Sequence, residues 1–273
     1  MPAPIVTFLS DFGTQDWFVG VVHGVINEIA PEAHVVDVNH LIPPGNVVRG
    51  AFILEAAAPD FPHGTVHLAV VDPGVGTTRR ALAVEAHGQC FIGPDNGLLE
   101  WALAAKGARI HALVETRWFR HPLSRTFHGR DVFAPVAAHL SRGVPLREFG
   151  PVVSDPVRLS LAHPRREGDA LIGRVVFIDR FGNALTNLTL TTLHKAFGRD
   201  VPAERMSVTV LDRTVKGLAR SYGDAPVGTM LAIVGSSGRL EIAQVGGNAA
   251  ARVGIGEGDP VVVRALEHAL PLG

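Results

Sequence analysis

One cysteine and one tyrosine occur in 273 residues, aromatic side chains make up only 6% of the chain, and 25 Lys plus Arg nearly cancel 26 Asp plus Glu. Each shortage excludes something. The lone thiol, Cys90, cannot form an intramolecular disulfide or a Cys-only metal site, and it fits a reducing compartment. A formal net charge of −1 offers no basic footprint for nucleic acid and no polybasic signal for an anionic membrane, so a small partner is expected. No stretch approaches the ~20 uninterrupted apolar residues that span a bilayer. Met1 to Leu9 has no basic start, and its apolar run breaks at Ser10-Asp11, so no signal peptide is expected and the cytoplasm is the expected location.

What is present is a 47% apolar chain long enough for one large or two moderate domains. In the first half, short Val/Ile-rich runs alternate with stretches of helical spacing, which predicts a layered α/β domain with a mostly parallel sheet. Ile5–Leu9, His34–Val38, Thr65–Val71, Ala81–Ala86 and Arg109–Val114 are the expected strands. Phe18, Val22, Val25, Ile26 and Ile29 make a core-facing helical stripe that Pro31 ends. Asn46 is an expected cap for a helix through Ala58, Asp95 for one through Trp101, and Asp131–Ser141 reads as a fourth. Residues 161–168 read as a linker between an N-terminal domain (1–160) and a C-terminal one (169–273). The C-terminal runs at 172–178, 184–190, 206–211, 230–234, 240–243 and 260–265, separated by Gly and Pro, predict a smaller antiparallel β domain.

Five polar clusters interrupt this pattern. Ser10-Asp11-Phe12-Gly13 follows the first strand, where ligands of open α/β sheets bind, so Asp11 is placed to accept hydrogen bonds from a ribose diol; Asp16 serves equally as a helix cap. Asp72-Pro73-Gly74-Val75-Gly76-Thr77-Thr78-Arg79 returns an Arg toward an Asp after a tight turn, without the spacing of a phosphate loop. Phe127-His128-Gly129-Arg130-Asp131 sets a His beside a helix start capped by Gly129 or Asp131. Asp179-Arg180-Phe181-Gly182-Asn183 offers a carboxylate for an ammonium, a ring to stack and an amide for a purine edge, on what is otherwise a hairpin. Gly235-Ser236-Ser237-Gly238-Arg239-Leu240-Glu241 is, on composition, a glycine-rich loop. The HxxxH pair His63 and His67, on a strand rising ~3.3 Å per residue, would sit too far apart to share an ion, so no metal is expected.

Taken in order with Pro94-Asp95-Asn96-Gly97, these motifs resemble the S-adenosyl-L-methionine (SAM) hydroxide adenosyltransferases, relatives of fluorinase and chlorinase, from about residue 4 to 265. The resemblance implies a barrel-like C-terminal domain and a homotrimer that binds SAM between one subunit's N-terminal domain and its neighbour's C-terminal domain. It implies hydrolysis of SAM to adenosine and methionine, with no cofactor beyond the substrate. Asp72, Arg79 and His128 match the catalytic set, Asp11 the ribose contact, Phe181 and Asn183 the adenine contacts, and Asp179, Ser236 and Glu241 the remaining substrate-binding positions, with Asp179 and the Ser236 region at the methionine end. Halogenating relatives carry Tyr where this chain has Asp72, and an anion there repels halide while it can accept a proton from water. The chain also has Gly45 where fluorinase has Trp, and Ser237 where it has Arg. Two other readings stand beside hydrolysis: a halide adenosyltransferase, and a SAM- or adenosine-binding protein without turnover.

Overall fold

The computed structural model describes residues 3–159 and 163–266. The chain divides into two compact units, residues 1–160 and 161–273. The first runs β1 (Ile5–Ser10), α1 (Phe18–Ile29), β2 (His34–Asn39), α2 (Val47–Ala57), β3 (Val66–Val70), β4 (Ala81–Ala86), β5 (Gln89–Pro94), α3 (Glu100–Leu103), β6 (Arg109–Ala112) and α4 (Ala134–Ser141). Its sheet has the order β2-β1-β3-β5-β4-β6, parallel from β2 to β5 and antiparallel where β4 joins β5 and β6.

The strand period of two explains the layers. On β3, Val66, Leu68 and Val70 pack into one apolar cluster with α1 and α4, while Ala69 and the following Val71 pack into the opposite one with Leu54 of α2 and Ala102 of α3. A strand covered on both faces must be apolar throughout, and β3 is buried at every residue. The helical stripe of α1 forms as expected, burying Val22, Val25 and Ile26. Asn46 caps α2 by accepting the Arg49 N–H at 2.9 Å.

Other expectations change. Asp95 does not start a helix through Trp101; it is buried, its carboxylate takes Arg80 Nε at 2.7 Å, and α3 begins only at Glu100. Asp16 does not cap α1, whose boundary residue is Trp17 without a side-chain bond. Neither Gly129 nor Asp131 caps the last helix. Residues Gly129–Phe133 form a π-helical turn leading into α4, and Asp131, wholly buried, pairs with Arg130 at 2.6 Å and accepts the Ser124 N–H.

The second unit comprises β7 (Arg165–Glu167), β8 (Ala170–Ile178), β9 (Ala184–Thr189), α5 (Leu190–Phe197), β10 (Met206–Val210), β11 (Arg213–Lys216), β12 (Met230–Val234), β13 (Arg239–Gln244), α6 (Ala249–Val253) and β14 (Pro260–Ala265). Every pairing between its strands is antiparallel, in the order β11-β10-β14-β8-β9-β13-β12, with β7 on β8. The first half of β8 pairs with β14 and its second half with β9, so one bent strand turns the sheet. Past β11, the Ala219 N–H donates to Ala232 O on β12 at 2.8 Å, which brings the sheet's ends together as a nearly closed, barrel-like wall around Val175, Leu188, Val208, Ile242 and Val263. β7 lies inside the segment expected as linker. Among the described residues no helix is long and apolar enough to cross a membrane.

Candidate active site

In the first unit, Asp11 follows β1 and Asp72 follows Val71, just past the end of β3. The two strands are adjacent and parallel, with Ser10 opposite Val70, so both acids emerge at one sheet edge. The turn after Asp72 brings Arg79 back onto it: Arg79 Nε donates to Asp72 Oδ1 at 2.8 Å and Nη2 to Oδ2, a two-pronged ion pair whose side chains are 11% and 6% exposed. Gly76 makes that return possible. Its φ is +78°, and a Cβ there would lie 2.4 Å from the Arg125 carbonyl oxygen.

Arg79 Nη2 also lies 3.0 Å from His128 Nδ1. A guanidinium can only donate, so Nδ1 is the acceptor and the proton of the neutral ring sits on Nε2. Burial, reinforced by the Arg79 charge, lowers the His128 pKa and favours that neutral ring. Arg79 stacks over Phe133 at 5.3 Å, which fixes the guanidinium from its other side.

Asp11, Asp72 and His128 line one cavity of about 60 Å³ with Phe12, Phe127 and Gly129. That is room for a few waters. Burial raises the Asp11 pKa against the pull of the Gly45 N–H, which donates to Asp11 Oδ2 at 2.7 Å. Gly45, the position without the aromatic, thus has a backbone task here.

The second unit holds the other predicted residues. Asp179, Phe181, Asn183, Ser236 and Glu241 line a pocket of about 910 Å³, in the size range of small-molecule sites. Asp179 closes the β8–β9 turn: its Oδ1 accepts the N–H groups of Phe181 (2.9 Å) and Asn183 (2.8 Å), and its Oδ2 accepts Asn183 Nδ2 (2.9 Å). The hairpin reading and the binding reading therefore describe one structure. The closed turn lifts the Phe181 ring out, 75% exposed. Asn183 has committed a donor to Asp179, which leaves its carbonyl oxygen as acceptor.

Glu241 on β13 is buried, and its Oε2 accepts the Tyr222 hydroxyl at 2.9 Å. Burial raises the Glu241 pKa, and burial with the Glu241 bond pushes the Tyr222 phenol up to about 12. A Cβ on Gly235 would sit 1.9 Å from Glu241 Oε1, so a larger residue there requires that carboxylate to move. The buried Ser237 Oγ has no hydrogen-bond partner among the described residues.

Four polar lining residues escaped the sequence reading, Arg220, Ser221, Tyr222 and Gln244, of which Arg220 and Tyr222 bear the groups that matter most. Tyr222 is the only tyrosine of the chain, and that rarity was the one available signal. Among the described residues no group of three or more His, Cys, Asp and Glu could hold a metal ion.

Residues 6–150 match the family model of the SAM hydroxide adenosyltransferase N-terminal domain, and residues 173–262 that of its C-terminal domain. A protein of Salinispora tropica named (R)-S-adenosyl-L-methionine hydrolase is 42% identical over 269 residues, covering 97% of this chain and 99% of its own. A fluorinase of Actinoplanes sp. is 33% identical over 72% of this chain and 76% of its own. Among solved structures, an uncharacterized conserved protein of Thermotoga maritima superposes with a TM-score of 0.88 at 36% identity, covering 95% of this chain and 99% of that one.

Proposed function

The chain belongs to the SAM hydroxide adenosyltransferase family, and from that premise we propose that it hydrolyses S-adenosyl-L-methionine to adenosine and L-methionine by attack of water at C5′. The observation that carries this reading is the Asp72–Arg79–His128 array at a water-sized cavity that Asp11 also lines.

The geometry of the array supports a role for each residue. His128 has given its one ring lone pair to Arg79, so its Nε2–H can donate but the neutral ring cannot act as base. Arg79 uses one lone pair on each Asp72 oxygen and leaves a second on each open to water. Asp72 is therefore the acceptor that orients the nucleophile and takes its proton, which passes on to solvent. As the O–C5′ bond forms, the C5′–S pair leaves with sulfur as a neutral thioether. The sulfonium is already a good leaving group, so alignment and desolvation of the water are what the protein must add.

In this reading Asp11 holds the ribose diol, the Phe181 ring carries adenine, and Asn183 meets its edge. Asp179, Ser236 and Glu241 face the methionine portion, where Arg220 supplies the cation its carboxylate needs. We infer a cytoplasmic homotrimer in which residues from the two units of neighbouring subunits complete one site, and a reaction that uses no metal or cofactor. The small cavity beside Asp72 supports this division, since alone it has no room for a nucleoside.

The test is incubation of purified protein with SAM in heavy-oxygen water, with and without chloride or fluoride. Adenosine bearing the heavy oxygen at its 5′ position is expected. A 5′-halo-adenosine would favour the halide reading, and bound SAM without product would favour a binding protein.

A further inference from the structure

A row of side chains lies directly beneath the Asp11 loop, and the proposed reaction gives it no task. Ser10, wholly buried at the end of β1, has its Oγ 2.7 Å from His40 Nδ1. His40, buried and edge-on to Phe8 at 4.6 Å, turns its Nε2 to within 3.0 Å of Asp37 Oδ1, obliquely to the line of a good hydrogen bond. The same carboxylate oxygen lies 2.8 Å from His23 Nε2. A carboxylate repels a ring lone pair, so His40 Nε2 carries the proton and Nδ1 accepts the Ser10 hydroxyl.

The order serine, histidine, aspartate suggests acyl transfer, but burial excludes it. Ser10 has no surface to offer a substrate, and its Oγ also accepts the Phe12 N–H at 3.3 Å. The row instead grips the chain on both sides of Asp11. His40 holds Ser10 through its side chain, and its carbonyl accepts the Gly13 N–H at 2.8 Å. Five residues beyond His40, the Gly45 N–H holds the Asp11 carboxylate itself.

We propose that His40, oriented by Asp37, is the positioning residue for Asp11: it fixes residues 10–13 so that the carboxylate meets a vicinal diol. This rests on the reading of Asp11 as the ribose contact. A purely structural histidine would weaken every ligand alike, whereas a positioning residue acts only where Asp11 does.

The experiment measures, by calorimetry on the full chain, binding of adenosine and of 2′,3′-dideoxyadenosine to the unaltered protein and to Asp11→Ala, His40→Leu, Ser10→Ala and the Asp11→Ala/His40→Leu double variant. His40→Leu and Ser10→Ala are each expected to weaken adenosine roughly tenfold, the order of one hydrogen bond to a charged group. Dideoxyadenosine is expected to be unaffected, and the double variant to bind adenosine no worse than Asp11→Ala alone. His40→Asn, which keeps an acceptor for Ser10, is expected to restore part of the loss. Equal losses for both nucleosides, or a full additive loss in the double variant, would overturn the proposal while leaving Asp11 in its role. If Asp11→Ala itself fails to distinguish the two nucleosides, the ribose reading falls and the proposal with it. Ser10→Ala removes a single oxygen and keeps the test decisive should His40→Leu not fold.

Discussion

In the N-terminal unit the charged groups of the candidate centre are matched within the chain, Asp72 by Arg79, Arg79 by His128, and Asp11 by the Gly45 amide. In the C-terminal unit the pocket is fifteen times roomier by the two volumes, about 910 against 60 Å³, and its aromatic ring stands in solvent. Dipoles and charges that must act during a bond change are worth most when fixed beforehand. Surfaces that recognise a ligand instead gain by burying what was exposed. On the proposed function the contrast sets the chemistry in the first unit, beside the ribose contact Asp11, and the rest of recognition in the second, and it can be broken.

The sharpest test is Asp72→Ala. Turnover of SAM is expected to drop by about 10²–10⁴, the span of a lost general base, with the dissociation constant for SAM within a few-fold of the unaltered value. Equal losses of binding and turnover would make Asp72 a recognition group and erase the division.

Next in size is an acid weakness that His67 gives the first unit. His67 on β3 is buried against Thr7, its Nδ1 2.8 Å from the hydroxyl, and burial lowers its pKa to about 4. The unfolded chain takes up that proton first, near pH 6.5. Stability is therefore whole above pH 6.5 and declines toward pH 4, by on the order of 3 kcal/mol over the full range. Urea unfolding at a series of pH values should show this decline, and His67→Gln should flatten it; a decline of unchanged slope would place the acid weakness elsewhere.

Phe181→Ala should weaken SAM binding by roughly 5- to 150-fold, the worth of one base stacked on an aromatic ring, with kcat nearly unchanged. A fall in kcat instead would give the second unit a part in the chemistry. Smallest is a shift in the acid limb of the kcat profile. Protonation of His128 removes the acceptor for Arg79, so activity is expected to persist to a pH below the ordinary histidine value of about 6.5 before it declines. A limb at or above that value would contradict a neutral, Arg79-bound ring.

The alternation of strands and helices in the first unit was legible because buried parallel strands must be apolar throughout and α1 must present a stripe. β5 was not. It follows β4 through a tight turn at His87-Gly88, where His87 itself takes a φ of +54°, and His-Gly is not among the Asn-Gly, Asp-Gly or Gly-Gly pairs that announce such a turn. The helix expected from Asp95 was a local signal overridden by a distant partner, Arg80. α5 and α6 are eight and five residues long, too short for a periodicity to declare itself beside the strands. At the candidate centre, motif order brought Asp72, Arg79 and His128 to notice. Arg220 and Tyr222 were missed because their importance lies in what the closing sheet sets opposite them, and nothing in their neighbours announces it.

Gly235 shows how little room for change such a pocket wall leaves. One added methyl would collide with Glu241 Oε1, and any shift of that carboxylate moves the Oε2 that accepts the Tyr222 hydroxyl, in a mostly apolar cavity. A substitution of a single carbon atom thus propagates through three side chains.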